Sequence, residues 1–175
     1  IGFGFKGVAN DVKIKILNHQ NIQSILTKNK ETDTLNYWFK EFEYDSLNFA
    51  LTSTNYKKNY TLKFKESDKD SLIITSSIKS TLELNEGFKV ISNRPLVNVD
   101  SEKIKVFNKD SVSIPFNTYI DDNQFDVSLN FEVLPNDNYI VNIMPNAITD
   151  FFESTNDSLS YSFKTKSRAD YGTLK

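Results

Sequence analysis

The sequence predicts an all-β protein made of antiparallel β-sandwiches, and three observations lead to this prediction. Aromatic residues are plentiful, with 14 Phe and 8 Tyr, and such side chains favour half-buried sheet surfaces. Residues 124–134 alternate apolar with polar side chains, as a strand with one buried face requires. No run of about 10–15 residues with helical periodicity separates the predicted strands, which argues against a parallel α/β fold.

The first half of the chain carries about six predicted strands, bounded by turn-forming Asn, Asp and Ser. Alternating apolar residues place them at residues 3–5, 12–16, 35–39, 47–51, 60–64 and 72–74. Ile22, Ile25 and Leu26 instead have the spacing of a short helix. Residues 1–7 contain three glycines, which fit a sheet edge or bulge better than a nucleotide-binding loop, because no strand precedes them.

The second half carries about seven more predicted strands. The clearest alternating sets lie at residues 88–91, 104–106, 112–116, 125–133, 139–143 and 159–163. Pro95 interrupts the sheet pattern after the first of these, and Pro115 indicates an edge or a bulge. Asn146–Glu153 is the best helical candidate, at one or two turns. The overlapping segment Pro145–Asp150 is interpreted as a crossover between sheets.

This strand spacing suits two sandwiches in tandem, which we predict at residues 1–76 and 77–167. The polar run at residues 76–81 is the predicted junction. Residues 168–175 are expected to begin a following segment. The first residue is Ile1 and the opening already resembles a strand, so we expect the sequence to start inside a longer protein, with any targeting signal upstream.

Composition excludes several functional classes. The protein has 175 residues, 38% hydrophobic and 25% charged, which is typical of a soluble globular chain. A net charge of −2 gives no reason to expect nucleic acid or an anionic membrane as a partner. Absence of cysteine excludes thiol catalysis, cysteine-ligated metals and disulfides. No apolar run reaches the roughly 18 residues of a membrane-spanning helix.

No catalytic residue, cofactor site or metal site is predicted. The single histidine, His19, stands in a polar loop, and no serine lies in a recognisable nucleophile elbow. The acidic clusters lack the spacing of a calcium-binding loop and suit turns instead. The sequence leaves open whether two acidic residues form the carboxylate pair of a glycoside hydrolase, because it does not give the distance between them. An accessory or catalytic domain of a secreted hydrolase is therefore one alternative.

Two stretches are candidates for binding a partner. Residues 33–40 concentrate aromatic side chains, which favours a core strand with Trp38 on a second packing surface over an exposed platform. The loop at residues 121–124 is the second stretch, since binding residues often lie on loops. The candidate interaction residues are Tyr37, Trp38, Phe39, Asp121, Asp122 and Gln124. An exposed Trp38 together with Tyr44 or Tyr56 would instead form a carbohydrate-binding platform.

A tripeptide of Asp, Ser or Thr, and an aliphatic residue occurs at five places. The simple interpretation is a turn followed by the start of a strand. The tripeptide also resembles the O-glycosylation acceptor motif of extracytoplasmic Bacteroidetes proteins. That resemblance implies the acceptor residues Thr34, Ser46, Ser71, Ser111 and Ser158.

The second half also resembles the bacterial Ig-like module of surface-layer and envelope proteins. Residues 88–96 match its strand followed by a Ser-x-x-Pro bend, here Ser92 to Pro95. Residues 139–150 match its late strand, Tyr-x-Val-x-Ile-x-Pro-x-Ala-Ile-x-Asp. The resemblance implies that both predicted sandwiches are Ig-like.

Nearly the whole chain resembles the middle-to-late part of a Bacteroidetes envelope lipoprotein. The similarity is carried by residues 33–35 with 37–38, 93–104, 144–152 with 156–159, and 170–174. It implies an extracytoplasmic location at the outer membrane or cell surface, anchored by an upstream lipid-modified cysteine that is not present here. It also implies a non-enzymatic spacer or interaction module. Its partners would be other envelope proteins or flanking domains, with no nucleic acid and no membrane insertion by this segment.

Overall fold

A computed structural model describes residues 2–4, 11–19, 21–29, 34–40, 45–63 and 71–171. Within these ranges every regular element is a β-strand or a short 3-10 helix, so the all-β prediction is confirmed. Packing divides the chain into two compact units, Ile1–Asp70 and Ser71–Lys175. The division falls earlier than the predicted boundary after residue 76.

The first unit contains two antiparallel three-stranded sheets, ordered β1-β4-β3 and β2-β5-β6. The strands are β1 Gly2–Gly4, β2 Lys13–Ile16, β3 Ser24–Asn29, β4 Thr34–Phe39, β5 Ser46–Ser53 and β6 Tyr56–Lys63. The predicted helix around Ile22, Ile25 and Leu26 is wrong, because Ile25 and Leu26 belong to β3. Strand β3 pairs with β4 over six residues, and this ladder overrides the weak helical spacing.

The core of the first unit joins these two sheets. Leu47 and Phe49 on β5 are almost fully buried, and β5 is the middle strand of its sheet. The Tyr37 ring of β4 meets the Phe49 ring edge-on, with centroids 5.4 Å apart. Because Tyr37 and Phe49 come from different sheets, the two sheets pack face to face through them.

The second unit contains two four-stranded sheets and one two-stranded sheet. Their strands are β7 Ile74–Ser76, β8 Thr81–Leu82, β9 Phe88–Ser92, β10 Leu96–Val99, β11 Ile104–Phe107, β12 Asn117–Ile120, β13 Asp126–Asn130, β14 Asn138–Ile143, β15 Ile148–Asp150 and β16 Leu159–Thr165. The sheet orders are β12-β13-β9-β7, β11-β14-β16-β8 and β10-β15. Short 3-10 helices occupy Ser101–Lys103 and Arg168–Tyr171.

Apolar side chains from both four-stranded sheets share one core. Phe88 of β9 stacks on Phe163 of β16 with ring centroids 4.9 Å apart, which joins the two sheets directly. Tyr139 of β14 lies 5.9 Å from the Phe163 ring. Val127 and Leu129 are fully buried in this core, as the predicted alternation in residues 124–134 requires.

The strand predicted over residues 124–134 ends early, at Asn130. Beyond Asn130, the Tyr139 hydroxyl replaces a neighbouring strand as a hydrogen-bond partner of the backbone. It accepts a hydrogen bond from the Leu134 backbone N–H at 2.9 Å and donates one to the Glu132 carbonyl at 3.2 Å. The predicted strand at residues 112–116 is likewise reduced to a single bridge, between Phe107 and Ser113.

Two strand assignments differ from the prediction. Strand β7, placed by the sequence at the end of the first domain, pairs with β9 of the second unit. Strand β8 runs parallel to β16, with Thr81 opposite Lys164 and Leu82 opposite Thr165, so an entirely antiparallel fold is wrong. The parallel pair is short and has no sequence periodicity of its own, and therefore alternation could not reveal its direction.

The segment between β14 and β16 is neither a helix nor a crossover between sheets. These two strands are neighbours in one sheet, and the chain between them forms β15, which pairs with β10. The buried side chain of Asn156 holds this excursion in place. Its Oδ1 accepts from the Ile148 N–H at 2.7 Å, and its Nδ2 donates to the Met144 carbonyl at 2.8 Å.

An ion pair is buried beside the same excursion. Arg94 Nη1 lies 3.1 Å from Asp150 Oδ2, and the Asp150 side chain is fully buried. The other carboxylate oxygen of Asp150 accepts from the backbone N–H groups of Phe152 and Ser154, at 2.9 and 2.7 Å. Arg94 also stacks on Phe152, 5.1 Å from its ring centre. The Ser92–Pro95 bend and the end of β15 are therefore tied together.

The end of the described chain packs back on the second unit. The Tyr171 hydroxyl accepts from the Leu84 N–H and donates to Glu83 Oε2, both at 2.8 Å. Lys166 forms an ion pair with the same Glu83 carboxylate. Residues 168–171, predicted to begin a following segment, are therefore held by the second unit. Residues 172–175 lie outside the described residues.

Candidate interaction surfaces

The predicted aromatic group is split between the two faces of β4. Tyr37 is only 8% exposed. Its hydroxyl donates to Ser24 Oγ at 2.7 Å, and its ring lies 6.2 Å from that of half-buried Phe39. Tyr37 and Phe39 therefore face the core of the first unit, where Tyr37 supports the fold.

Trp38 faces the opposite side of the same strand and is half-buried. Its indole Nε1 donates to Thr27 Oγ1 at 2.8 Å, and Thr27 is itself buried. Tyr56 belongs to the other sheet and shares the core-side face of Phe49. The structure thus does not bring Trp38 and Tyr56 onto one platform, and Tyr44 lies outside the described residues.

A pair of exposed tyrosines on β6 was not singled out by the sequence. Tyr56 and Tyr60 are 45% and 37% exposed, and their hydroxyls lie 2.5 Å apart. This hydrogen bond raises the pKa of Tyr56. Lys58 lies over the Tyr60 ring at 5.1 Å. The spacing of these three residues, two apart on one strand, is the signal that would have placed them on one face.

The predicted loop at residues 121–124 is a tight connection between β12 and β13. Asp121 N–H donates to the Asp126 carbonyl, and Gln124 N–H donates to the Asp121 carbonyl, both at 2.8 Å. Gln124 has a φ of 64°, in the left-handed region, and its carbonyl accepts from Leu96 N–H at 2.6 Å. Asp122 is exposed. The backbone hydrogen bonds of Asp121 and Gln124 therefore hold the turn itself.

Asp121 also anchors a polar network on the outer face of the β12-β13-β9-β7 sheet. Its carboxylate pairs with Lys89 and accepts from the buried Ser128 hydroxyl at 2.6 Å. The hydrogen bond to Asp121 raises the pKa of Lys89. The contact with Asp121 therefore favours the charged form of the Lys89 ammonium. Sequence reasoning missed Lys89 and Ser128, whose partners are set by strand register.

The described residues place no metal-ligating cluster around His19. It lies beside Asn18, whose side-chain nitrogen is 2.8 Å from His19 Nε2. Across the described residues, no group of three or more His, Cys, Asp or Glu side chains is placed to hold a metal ion.

The predicted glycosylation residues differ in exposure. Ser71, Ser111 and Ser158 are exposed, whereas Thr34 and Ser46 begin strands β4 and β5 and are half-buried. The acidic residues that precede Thr34 and Ser71 lie outside the described residues. Three of the five predicted acceptor residues are thus exposed.

No helix in the described part of the chain is both long and apolar enough to cross a membrane. No protein-family model matches the sequence. No curated protein matches it either.

Proposed function

We propose that this chain is a non-enzymatic spacer or protein-interaction module of a larger bacterial envelope protein. One observation carries the proposal: seven polar residues buried in the described part of the chain are committed to holding the fold, although the buried Oγ1 of half-buried Thr118 has no hydrogen-bond partner there. These side chains are Thr27, Ser92, Ser128, Asp137, Asp150, Asn156 and Thr165, and each has a hydrogen-bond partner within the chain. Catalytic centres instead keep titratable groups poised towards a cleft.

The buried ion pair supports the same interpretation. The Asp150 side chain is fully buried and holds Arg94 and two backbone N–H groups, so its carboxylate is not accessible to a substrate. Ser128 is only 2% exposed and donates to Asp121. The contacts of Asp150 and Ser128 therefore favour a structural role for both residues over roles as base and nucleophile.

The envelope location rests on the resemblance to Ig-like lipoproteins. The two motifs that carry it are the Ser92–Pro95 bend and residues 139–150, and Arg94 and Asp150 link them physically. The second unit, with sheets packed face to face, suits such a module.

Fractionation of the native organism tests this role. We expect the full-length protein in the outer-membrane fraction, accessible to protease on intact cells, and cross-linked there to other envelope proteins. A cytoplasmic protein would contradict the location. Hydrolase activity lost on Ser128→Ala or Asp121→Asn, but retained by the exposed variant Ser160→Ala, would contradict the non-enzymatic role.

Glycosylation is a second consequence of the proposed location. We expect the native protein to exceed its polypeptide mass, with glycopeptides at the exposed residues Ser71, Ser111 and Ser158. Intact-mass spectrometry measures this, and Ser-to-Ala variants at the three positions provide the matched control. A native mass equal to that of the bare polypeptide would rule glycosylation out.

Carbohydrate binding is a second candidate function, favoured by the exposed Tyr56–Tyr60 pair. Aromatic faces stack on apolar sugar surfaces, and Tyr can add a hydrogen bond. Titration with neutral oligosaccharides tests it. Binding lost in Tyr56→Ala and retained in the control Tyr119→Ala, an exposed tyrosine of the second unit, would support it.

A further inference from the structure

The outer face of the β2-β5-β6 sheet carries a set of lysines. Leu47 and Phe49 of β5 point into the core, so the residues between them point outwards. Strand register places Lys13, Thr52 and Lys57 in one row across the three strands. By the same register the outer face also carries Lys15 and Lys63. We call Lys13, Lys15, Lys57 and Lys63 the lysine face.

The positive charge of this face is not neutralised by the described residues. All four lysines are exposed, and none forms an ion pair with a described side chain. The other strand positions on the face are uncharged: Ser46, Asn48, Ala50, Thr52, Asn59 and Thr61. Asp11 borders β2, but its carboxylate accepts two hydrogen bonds from Thr54, each at 2.7 Å.

The lysine face extends across three strands. Neighbouring strands lie about 4.8 Å apart, so Lys13 and Lys57 are separated by about 10 Å across β5. Lys57 and Lys63 are six residues apart on β6, or about 20 Å. Hydroxyl and amide groups fill the space between, and Thr61 Oγ1 donates to Asn48 Oδ1 at 2.8 Å. A row of point charges separated by hydrogen-bonding groups suits an extended polymer that is both charged and rich in hydroxyls.

We propose that the lysine face binds an anionic polysaccharide. This inference deepens the interaction role proposed above by naming a partner class. Nucleic acid fits less well, because the face has no aromatic side chain for base stacking and no arginine to grip phosphate. A membrane fits less well, because the face presents no large apolar side chain to enter the lipid.

Calorimetric titration of the whole chain with polygalacturonate tests the proposal. We expect binding at about 0.02 M NaCl that weakens strongly at about 0.3 M, because salt screens exposed charges. The variant Lys13→Gln/Lys57→Gln should bind about fivefold more weakly or worse. The matched control, Lys79→Gln/Lys109→Gln, removes two exposed charges from the second unit and should bind as the parent does.

Four outcomes would overturn the proposal. They are no binding at low salt, equal loss in both double variants, equal binding of uncharged dextran, and preferential binding of phosphatidylglycerol vesicles or single-stranded DNA. Dextran binding abolished by Tyr56→Ala would point to the tyrosine pair instead. Far-ultraviolet circular dichroism confirms that the variants fold. Failure here leaves the envelope role intact, because cell fractionation and cross-linking test that role separately.

Discussion

Replacing Arg94 with Met should destabilise the second unit severely. The substitution removes the guanidinium that faces Asp150 Oδ2 at 3.1 Å and leaves a fully buried carboxylate without its counter-charge. Breaking a buried pair by removing one partner costs about 3–5 kcal/mol. Loss of the stacking of Arg94 on Phe152 adds about 0.5–1 kcal/mol. We therefore expect the free energy of unfolding to fall by about 4 kcal/mol.

Replacing Asp150 with Asn should cost less. Asn keeps an oxygen for the Phe152 and Ser154 N–H groups but carries no charge, so the loss should be about 1–3 kcal/mol. The double variant Arg94→Met/Asp150→Asn should lose less than the sum of the single variants, because neutral Asn no longer needs the guanidinium. A combined loss smaller than the sum of the two single losses would identify the ion pair as the cause of the destabilisation.

Hydrogen–deuterium exchange in increasing urea measures the effect on peptides of the second unit. Lys103→Met is the control, since its ion pair with Asp100 at 3.3 Å is solvent-exposed and should contribute less than about 1 kcal/mol. If Arg94→Met cost no more than Lys103→Met, or if the two single losses simply added, the buried pair would not be the reason for the stability.

Three further predictions concern the second unit. Asn156→Ala should lower the free energy of unfolding by about 2–4 kcal/mol in urea, because it leaves buried backbone groups unpaired, whereas the exposed Asn130→Ala should change it by less than about 0.5 kcal/mol. Phe163→Ala should cost about 3–5 kcal/mol by the same measurement, since it removes the ring stacked between the sheets. Burial raises the pKa of Tyr139 and Tyr161, so stability should be full below about pH 10 and decline above it, where only the unfolded tyrosines ionise readily.

Each of these results could contradict its argument. Asn156→Ala matching Asn130→Ala would show that water replaces the lost hydrogen bonds. A small loss for Phe163→Ala would mean that the two sheets do not depend on that ring. Absorbance titration at alkaline pH should show late ionisation of Tyr139 and Tyr161, and variants with Phe at both positions should show a smaller alkaline decline.

Alternation of apolar and polar residues was the reliable guide to the positions of the strands. It placed β14 and β16 correctly, since the inward-facing apolar residues of each strand pack on the core. It failed for β3, whose residues Ile25 and Leu26 are both incompletely buried and so leave no clear period of two. It also failed for β15, a strand of three residues set by the Asn156 side chain.

The candidate surfaces depended on information that the sequence does not contain. Arg94 and Asp150 are 56 residues apart, and only the pairing of β10 with β15 brings their segments together. Lys13 and Lys57 share a row only because both lie beside Thr52.

The parallel pairing of β8 with β16 also has a mechanical consequence. A pull on the chain before Thr81 and after Thr165 would drag the two strands in opposite directions along their length. Their hydrogen bonds would then share the load and break together, instead of opening one after another. Lys166 and Tyr171 both bind Glu83, just beyond β8, and would add to this resistance. A force applied at these two points would therefore be resisted by the β8–β16 hydrogen bonds, which are loaded in shear.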